Sequence, residues 1–513
     1  MLRPVAALAG ISIVMVLIAL DQTVVGTALP QMVAELQGFR LYPWVAAAYL
    51  LGNAILIPVI GRLGDLHGRK PYLLVSIALF TLASVLCGMA HSMLQLVLAR
   101  GLQGIAGGML MGSAFASVSD LFPDTLERVR WQVMLSAAFG VASALGPALG
   151  GWMTEHLGWR SVFYVNLPVG LLALPIVWRY LPWIKHGEQS GKALDWPGVL
   201  LLTLAVGTLL LTTEMGEQLG FASLAFWGLM ALSCGLGALF VQHQRHSEAP
   251  VIPPHLFANP AVRRLAVLAL LTGLILFVLL FYAPLLLQGG FSLSPNEAGL
   301  VVTPLLVFIT IGSVVNGRLI PRIAKPERLF SYGVLGLIAS ILGLCFIGAD
   351  MPRAFLMSVF AVCGFSLGFQ LPNLTLQIQA SVGRADQGAA SALIQTLRTL
   401  GSMFGASLAG LAVSIGFSRG AGAMLAESGI SDTRVLQLFG NPQLLVRATD
   451  QHELARLATA LSFDAERMLE HARLGLVSGI HAAFFGCAVL AVITYIISRR
   501  LPPFARKSEG APD

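Results

Sequence analysis

Fourteen long apolar runs follow one another along this chain and constrain its fold more than any other feature. A helix needs about 20 mostly apolar residues to cross a bilayer, and its backbone polar groups must bond within the helix. Each run is long enough, so we predict an all-α integral membrane protein with 14 transmembrane helices. The runs lie near 5–34, 43–61, 72–91, 93–119, 131–153, 161–182, 197–215, 221–242, 261–288, 297–317, 329–349, 353–377, 387–416 and 474–498.

The composition excludes several classes of protein. Charged residues make up 11% of the chain, against about 25% in soluble domains. So few charges cannot cover a soluble globule of 513 residues, which excludes a soluble enzyme, a disordered protein and a nucleic-acid binder. The five cysteines lie singly in apolar runs, the ten histidines are scattered, and no Walker loop is found. We therefore predict no enzymatic activity, no metal and no cofactor.

The distribution of Lys and Arg predicts the orientation. If the N-terminus is cytoplasmic, the inner segments carry 21 basic residues and the short outer loops carry 3. This asymmetry follows the positive-inside rule, from which long loops are exempt. The first run is too long for a signal peptide and is expected to be a retained helix. We predict a multi-pass protein of the cytoplasmic (inner) membrane with both termini cytoplasmic.

A weak internal repeat suggests how the helices are organised. The triplet Gly-Arg-Leu follows the second run at 61–63 and the tenth at 317–319. A chance match is an equally good explanation, but duplicated bundles with a site between them are common in secondary transporters. We predict a 6+2+6 arrangement. It comprises a six-helix bundle at 1–182, a linker with two extra helices at 183–260, a second bundle at 261–500 and a tail at 501–513.

The outer segment 417–473 separates the last two runs. Apolar residues recur in its second half at helical spacing, and Asn441-Pro442 is a suitable helix start. We predict one or two amphipathic helices on the outer face. The alternative is a mobile linker with short helices.

The loop between the second and third runs reads Gly-Arg-Leu-Gly-Asp-Leu-His-Gly-Arg-Lys-Pro at 61–71. It closely resembles the signature loop of the major facilitator superfamily. The resemblance implies a clasp that holds the inner gate, with Asp120 (or Asp124) as the acid that ends the fourth helix. A solvated basic loop that only sets topology is the alternative. The implied gating residues here are Gly61, Asp65, Gly68, Arg69 and Asp120.

Two further segments are similar to drug antiporters of that superfamily. The string Gly-Pro-Ala-Leu-Gly-Gly at 146–151 matches a fifth-helix motif of these exporters, with Ala142 as a departure upstream. Its proline bends a helix and its glycines allow close crossing. The segment 20–30 resembles the first helix of the fourteen-helix drug:proton antiporters (EmrB/QacA type), although Gly26 replaces a usual Asn. The resemblance adds Gly146, Pro147, Gly150 and Gly151 to the gating residues.

Asp21 and Arg100 are charged residues deep inside apolar runs. A charge at mid-membrane costs several kcal/mol unless it is paired or hydrated. Asp21 is the one acid well inside a predicted span, and opposition by Arg100 would tune its proton affinity. We predict that the two residues couple transport to protons. A static pair that holds the first and fourth helices together is the alternative.

A large, mostly apolar and adaptable substrate cavity is expected between the bundles. Each polar residue in the cavity helices is by itself more easily explained as packing. The candidate cavity residues are Tyr49, Asn53, Tyr282, Asn316, Gln370, Asn373, Gln395 and Arg398.

These residues and the resemblance together predict a proton-coupled antiporter that exports amphiphilic drugs or toxic compounds by alternating access. One acid and two arginines inside the membrane disfavour dications and leave neutral, monocationic or anionic amphiphiles. The energy source implied is the proton gradient, and the expected transport unit is a monomer in the lipid bilayer. An exporter of one metabolite or siderophore, or a membrane sensor, is the alternative. Docking of a periplasmic adaptor on the outer loop is left open.

Overall fold

The computed structural model describes most of the chain as helices that run back and forth through a bundle. Statements below concern the described residues alone. They are 2–122, 125–184, 195–219, 223–247, 250, 254–323, 325, 327–382, 387–428, 432, 435, 438–439, 442–445, 448–461 and 463–501.

Within these residues the secondary structure is helical, with no strand. Short 3-10 turns and one π turn connect or extend the long elements. The helices are α1 (Leu2–Leu36), α2 (Tyr42–His67), α3 (Arg69–Gly88), α4 (Met93–Leu121), α5 (Thr125–Leu157), α6 (Ser161–Tyr164), α7 (Asn166–Tyr180), α8 (Trp196–Leu219), α9 (Leu224–His246), α10 (Pro260–Leu285), α11 (Pro295–Leu319), α12 (Glu327–Leu344), α13 (Arg353–Ala380), α14 (Gln387–Ser428), α15 (Ala448–Leu461) and α16 (Ala465–Ser498).

Polar residues in the connections fix where several helices begin. The Ser92 hydroxyl accepts a hydrogen bond from the amide three residues later at the start of α4. Ser294 and Glu297 form a reciprocal capping box at the start of α11, and Asn259 caps α10 just before Pro260. Such caps satisfy the amide groups that the first helical turn leaves without a partner.

The same pattern of helix pairing occurs twice along the chain. In the first half α1 packs on α5 and α7, while α4 packs on α2 and α3. In the second half α10 packs on α14 and α16, while α13 packs on α11 and α12. The two groups meet where α5 packs on α11 and α2 packs on α14. The corresponding pairings place helices of both groups around one central space.

The groups share a core at one face of the bundle and have separate cores at the other. One buried cluster joins α1 and α2 to α10, α11, α14 and α16 at the face that carries residues 435–457, here called the loop face. At the opposite face, here called the terminal face, each group packs its own cluster. The bundle is therefore closed at the loop face.

Hydrogen bonds also cross between the groups in the loop-face half, and two of them come from buried side chains. The Tyr42 hydroxyl donates to the Phe281 carbonyl at 2.9 Å, and Gln288 Nε2 donates to the Thr27 carbonyl at 2.8 Å. All four residues belong to elements of the shared core or adjoin it. Because hydrogen bonds are directional, they fix the relative position of the two groups more closely than apolar packing alone.

Eleven helices in the described part are long and apolar enough to cross a membrane. The other three predicted spans fall on α2, α5 and α8, of which α2 and α8 carry shorter apolar stretches at Trp44–Ile57 and Trp196–Leu209. The structure therefore supports an all-helical, multi-pass chain. The number of 14 spans and the 6+2+6 domain boundaries stay predictions.

The predicted outer segment 417–473 is more helical at its ends than the sequence indicates. Helix α14 continues to Ser428 and α16 begins at Ala465, so much of the segment prolongs membrane helices. Between them lies α15, as predicted, and a 3-10 turn at Pro442–Leu445; Asn441 is outside the described residues. Leu444, Leu445 and Leu454 are buried in the shared core. This part of the segment packs on the loop face.

The helices α8 and α9 pair with each other and lie beside the bundle, with α8 against α2 and α14. Asp195 joins them at one end. Its Oδ1 accepts from Gly198 N at 2.9 Å and lies 2.6 Å from His243 Nε2, and its Oδ2 accepts from Gln244 Nε2 at 2.7 Å. One carboxylate therefore caps α8 and holds the end of α9.

Asp195→Ala should destabilise the protein by about 1–2 kcal/mol at pH 7, because it removes a cap and its partners. Burial raises the pKa of Asp195, but the hydrogen bonds from His243 and Gly198 together lower it by more. The net shift of the pKa is therefore downward. The stabilisation is therefore present above the unfolded pKa of about 3.9 and is lost as pH falls through the folded value. Thermal unfolding in detergent at pH 7 and pH 3 should show a difference that shrinks at pH 3.

The matched control is Asp350→Ala, which changes an exposed turn aspartate. It should leave the unfolding temperature nearly unchanged at both pH values. An Asp195→Ala effect of equal size at pH 7 and pH 3 would contradict the role of the ionised carboxylate.

Candidate functional site

An ion pair between α1 and α4 is the most deeply buried charged feature of the described residues. Arg100 Nη1 lies 2.8 Å from Asp21 Oδ2, and the two side chains are 2% and 0% exposed. The pairing satisfies the requirement that a charge inside an apolar helix have a partner. The structure thus brings together the two residues predicted to couple protons, and their role in coupling stays a prediction.

Two amides complete the surroundings of the Asp21 carboxylate. Gln103 Nε2 donates to its Oδ1 at 2.8 Å, and Asn166 Nδ2 donates to the same oxygen at 3.1 Å. Gln103 Oε1 in turn accepts from Arg100 at 2.7 Å. Residues of α1, α4 and α7 therefore meet at one carboxylate.

The guanidinium of Arg100 has further partners on α2. Its Nε donates to the Val45 carbonyl at 3.3 Å, and its carbon lies 4.3 Å from the centre of the Tyr49 ring. A cation over an aromatic face gains roughly 0.5–2 kcal/mol. Arg100 is consequently held from three sides.

A cavity of about 530 Å³ lies between the two helix groups. Arg100 reaches its wall, whereas Asp21 does not line it. The cavity has the size and the mixed apolar and polar character of a small-molecule site. Four of the predicted cavity residues line it, namely Tyr49, Asn53, Gln395 and Arg398.

The other four predicted cavity residues do not line this space. Tyr282 donates to the Ala406 carbonyl at 2.7 Å and so joins α10 to α14. Asn373 Nδ2 donates to Asn316 Oδ1 at 3.0 Å between α13 and α11, and Gln370 bonds to its own helix. All four side chains are fully buried. In this structure Tyr282, Asn316 and Asn373 bind neighbouring helices to each other, and a role for the four residues in substrate binding stays a prediction.

Several cavity residues were not predicted from the sequence. They are mostly apolar or hydroxyl side chains, which have no signal that distinguishes them from packing residues. They include Phe139, Leu276, Phe277, Leu280, Thr310, Ser313 and Ser402. Gln103, by contrast, had a usable signal, because it lies three residues after Arg100 and so on the same face of α4.

The glycine-proline string of α5 has two packing faces. A β-carbon on Gly146 or Gly150 would lie within 3 Å of threonine hydroxyls on α1. A β-carbon on Gly151 would lie 2.3 Å from the Pro295 carbonyl on α11, and the Pro147 carbonyl lies equally close to a β-carbon built on Gly299. The first face joins α5 to its own group and the second joins it to the other group. This string therefore forms part of the seam that closes the loop face.

The predicted clasp at the terminal face is described only in part. Gly68 separates α2 from α3 with φ of 88°, a conformation that favours glycine. Trp183 Nε1 donates to the His67 carbonyl at 2.9 Å and so covers this turn. Gly61 lies within α2 and Arg69 begins α3. Asp124 and the side chains of Asp65 and Asp120 lie outside the described residues, so the clasp stays a prediction.

Two helix groups, closed at one face around a buried ion pair and a central cavity, define the class of membrane transporters built from paired helical bundles. The sequence profile described as Major Facilitator Superfamily matches residues 11–406. The chain belongs to this superfamily. It is a non-enzymatic, multi-pass membrane transporter, and proteins of this kind lie in the inner membrane of bacteria.

Named relatives match more than three quarters of the chain. It is 29% identical to the "Multidrug transporter protein MdtP" of Bacillus subtilis over 98% of this chain and 94% of that protein. It is 30% identical to "Multidrug resistance protein Stp" of Mycobacterium tuberculosis over 77% of this chain and 73% of that protein.

Solved transporters share the fold. A bacterial homologue of the human lysosomal transporter Spinster, in an inward-facing conformation, superposes with a TM-score of 0.66 over 97% of both chains at 17% identity. The inward-open xylose transporter XylE of E. coli gives 0.56 over 98% of this chain and 97% of that chain at 14% identity. At such identities the likeness concerns the fold alone.

Gly151→Ala should open the loop face, because the new methyl group would overlap the Pro295 carbonyl. Overpacking of this kind costs about 1–3 kcal/mol, and each 1.4 kcal/mol changes the ratio of closed to open molecules about tenfold. Spin labels at His156 on α5 and Phe355 on α13, both exposed, report the distance between the groups. The variant should gain a population at longer distance.

Gly235→Ala is the control, since nothing lies within 4 Å of a β-carbon at that α9 position. Its distance distribution should match that of the wild type. If the distance distribution of Gly151→Ala also matches that of the wild type, the contact between α5 and α11 accommodates the methyl group and the prediction is wrong.

Proposed function

We propose that this chain is a fourteen-helix drug:proton antiporter of the EmrB/QacA type that exports amphiphilic compounds by alternating access. Relatives named as multidrug proteins, the fifth-helix string and the apolar central cavity support this proposal. The terminal face is then cytoplasmic, in agreement with the distribution of Lys and Arg. The 6+2+6 division, with α8 and α9 as a lateral pair, belongs to the same proposal. A single chain carries both bundles, so we expect a monomeric transport unit.

The observation that carries the proposal is the contact between the buried Asp21 carboxylate and Arg100, which reaches the cavity. When Asp21 is ionised, the pair is neutral and its geometry is favourable. A proton on Asp21 would leave the guanidinium without a counter-charge in a medium of low dielectric constant. The packing of α1 on α4 would then depend on protonation. This dependence is what a proton-driven conformational cycle needs.

The observed closure corresponds to the inward-facing half of the cycle. A compound from the cytoplasm or the inner leaflet enters the cavity from the terminal face. The groups then close there and separate along the α5–α11 seam. A proton that enters from outside reaches Asp21 in the outward-facing state and leaves in the inward-facing state.

Asp21→Asn should abolish the exchange of protons for substrate, because the site that carries the proton is removed. Proteoliposomes with an imposed pH gradient and an internal pH indicator would measure proton release driven by the neutral dye 1-pyrenebutanol. A neutral dye keeps the result independent of any preference for substrate charge. The wild type should release protons on dye addition, and the variant should not.

A double variant distinguishes coupling from a static pair. Breaking one partner of a buried pair costs about 3–5 kcal/mol, so Asp21→Asn alone could lose activity through instability. Asp21→Asn with Arg100→Gln removes both charges and keeps polar side chains in place. A folded but uncoupled double variant supports the proton role, and restored coupling would show that the pair is structural.

The control for the pair is Glu35→Gln, which neutralises a surface carboxylate that contacts Arg160 near the loop face. It should couple as the wild type does. If the wild type moves no dye under the gradient, an exporter restricted to one metabolite becomes the better assignment.

A further inference from the structure

Arg398 on α14 differs from Arg100, because no acid of the described part of the chain lies beside it. Its Nη2 donates to Gln395 Oε1 at 2.5 Å, one turn earlier on the same helix. Among the described residues no carboxylate lies within ion-pair distance of it. The side chain is half-buried and lines the central cavity. A positive charge therefore faces the space where a substrate would lie.

The charges around the cavity do not balance. The described lining contains Arg100, Arg398 and no carboxylate. Asp21, behind the wall, neutralises Arg100 alone. The cavity therefore keeps one net positive charge within a largely apolar enclosure. An unpaired charge there is costly, and a ligand of opposite charge offsets that cost.

The backbone at Arg398 is held rigidly by close helix crossing. A β-carbon on Gly273 of α10 would lie 1.9 Å from the Arg398 carbonyl, and one on Gly401 would lie 1.9 Å from the Leu270 carbonyl. The Ser402 hydroxyl donates to the Gly273 carbonyl at 3.1 Å across the same contact. The backbone from which the Arg398 side chain extends is thus fixed before a ligand arrives. Less backbone entropy is therefore lost on binding.

Apolar side chains form the other walls of the cavity. Phe277 and Phe281 of α10 stack with their ring centres 4.3 Å apart, and both line the space. Leu276, Leu306 and Ile309 extend the apolar surface. A ligand that matches this lining has an apolar body and one anionic group.

We propose that Arg398 is the anion-binding residue of the cavity and that the preferred substrates are monoanionic amphiphiles, such as a carboxylate or sulfonate on a hydrophobic skeleton. This assignment rests on the proposed export function and narrows its substrate class. Arg398 belongs to α14, whereas the Asp21–Arg100 pair belongs to α1 and α4. The anion and the proton therefore occupy sites in different helix groups.

Three probes with the same pyrene skeleton test the charge preference. They are 1-pyrenebutyrate, 1-pyrenebutanol and 1-pyrenebutylamine, which are anionic, neutral and cationic at pH 7. Binding to the full-length protein in nanodiscs is measured by energy transfer from its tryptophans to pyrene, with empty nanodiscs as background. The wild type should bind the anion about tenfold or more tightly than the neutral and cationic probes, as expected for a charge-assisted hydrogen bond.

Arg398→Gln should remove this preference and leave binding of 1-pyrenebutanol within about twofold. Arg398→Lys keeps the charge without the fork geometry and should retain part of the preference. The matched control is Arg419→Gln, which neutralises an exposed arginine on the same helix. It should bind all three probes as the wild type does.

Equal weakening of all three probes in Arg398→Gln, or a wild-type preference for the amine, would overturn the proposal. A variant that fails to fold is recognised by its unfolding temperature, and Arg398→Lys then decides the outcome. Anion-selective binding without proton-coupled flux would support the binding site and contradict the antiporter. Proton-coupled flux of the neutral dye without an Arg398-dependent preference for the anion would support the antiporter and contradict the anion site.

Discussion

The Asp21–Arg100 pair is buried, and the mutual packing of four helices depends on the hydrogen bonds that satisfy it. A buried carboxylate needs hydrogen-bond donors in addition to its counter-charge. Gln103 and Asn166 supply them, and Asn166 also donates to the Ser84 hydroxyl on α3. The pair therefore fixes the mutual positions of α1, α3, α4 and α7. A proton on Asp21 would therefore disturb contacts that these four helices share.

Close approach of backbones gives the second constraint on the structure. Apolar packing has little direction in a membrane, because lipid tails are as apolar as the helices. Glycines let α5 approach both α1 and α11, and α10 approach α14, at distances that a methyl group would prevent. One helix with two such faces connects a change inside the first group to the contact between the groups. The buried pair and the seam thus meet on α1 and α5.

Much of the fold and part of the site could be predicted from the sequence because charge and glycine are conspicuous in apolar helices. Asp21, Arg100 and the string at 146–151 were located in this way. Tyr282, Asn316 and Asn373 bind neighbouring helices in the structure and do not line its cavity, and the sequence could not separate these two uses of a polar residue in a membrane helix. Helical spacing gives the face of a residue, but the neighbour on that face depends on tertiary packing.

The same reasoning explains why the cavity wall was mostly missed. Phe277 and Leu280 are apolar residues within a long apolar run, and nothing local separates them from lipid-facing positions. The helices α2, α5 and α8 have the reverse property. Each is a long helix in the structure, and the apolar runs found in the sequence locate it, although the described residues of α2 and α8 hold only the shorter apolar stretches Trp44–Ile57 and Trp196–Leu209.

The unbalanced charge of the cavity has an electrical consequence. A cycle that moves one anion outward and one proton inward transfers two elementary charges in the same direction. Each charge gains about 2.3 kcal/mol per 100 mV of membrane potential. A transporter with Arg398 as its anion site would thus draw mainly on voltage and would continue to export when the pH difference across the membrane is small. Exchange of a monocation for one proton is electrically neutral and could not use this source.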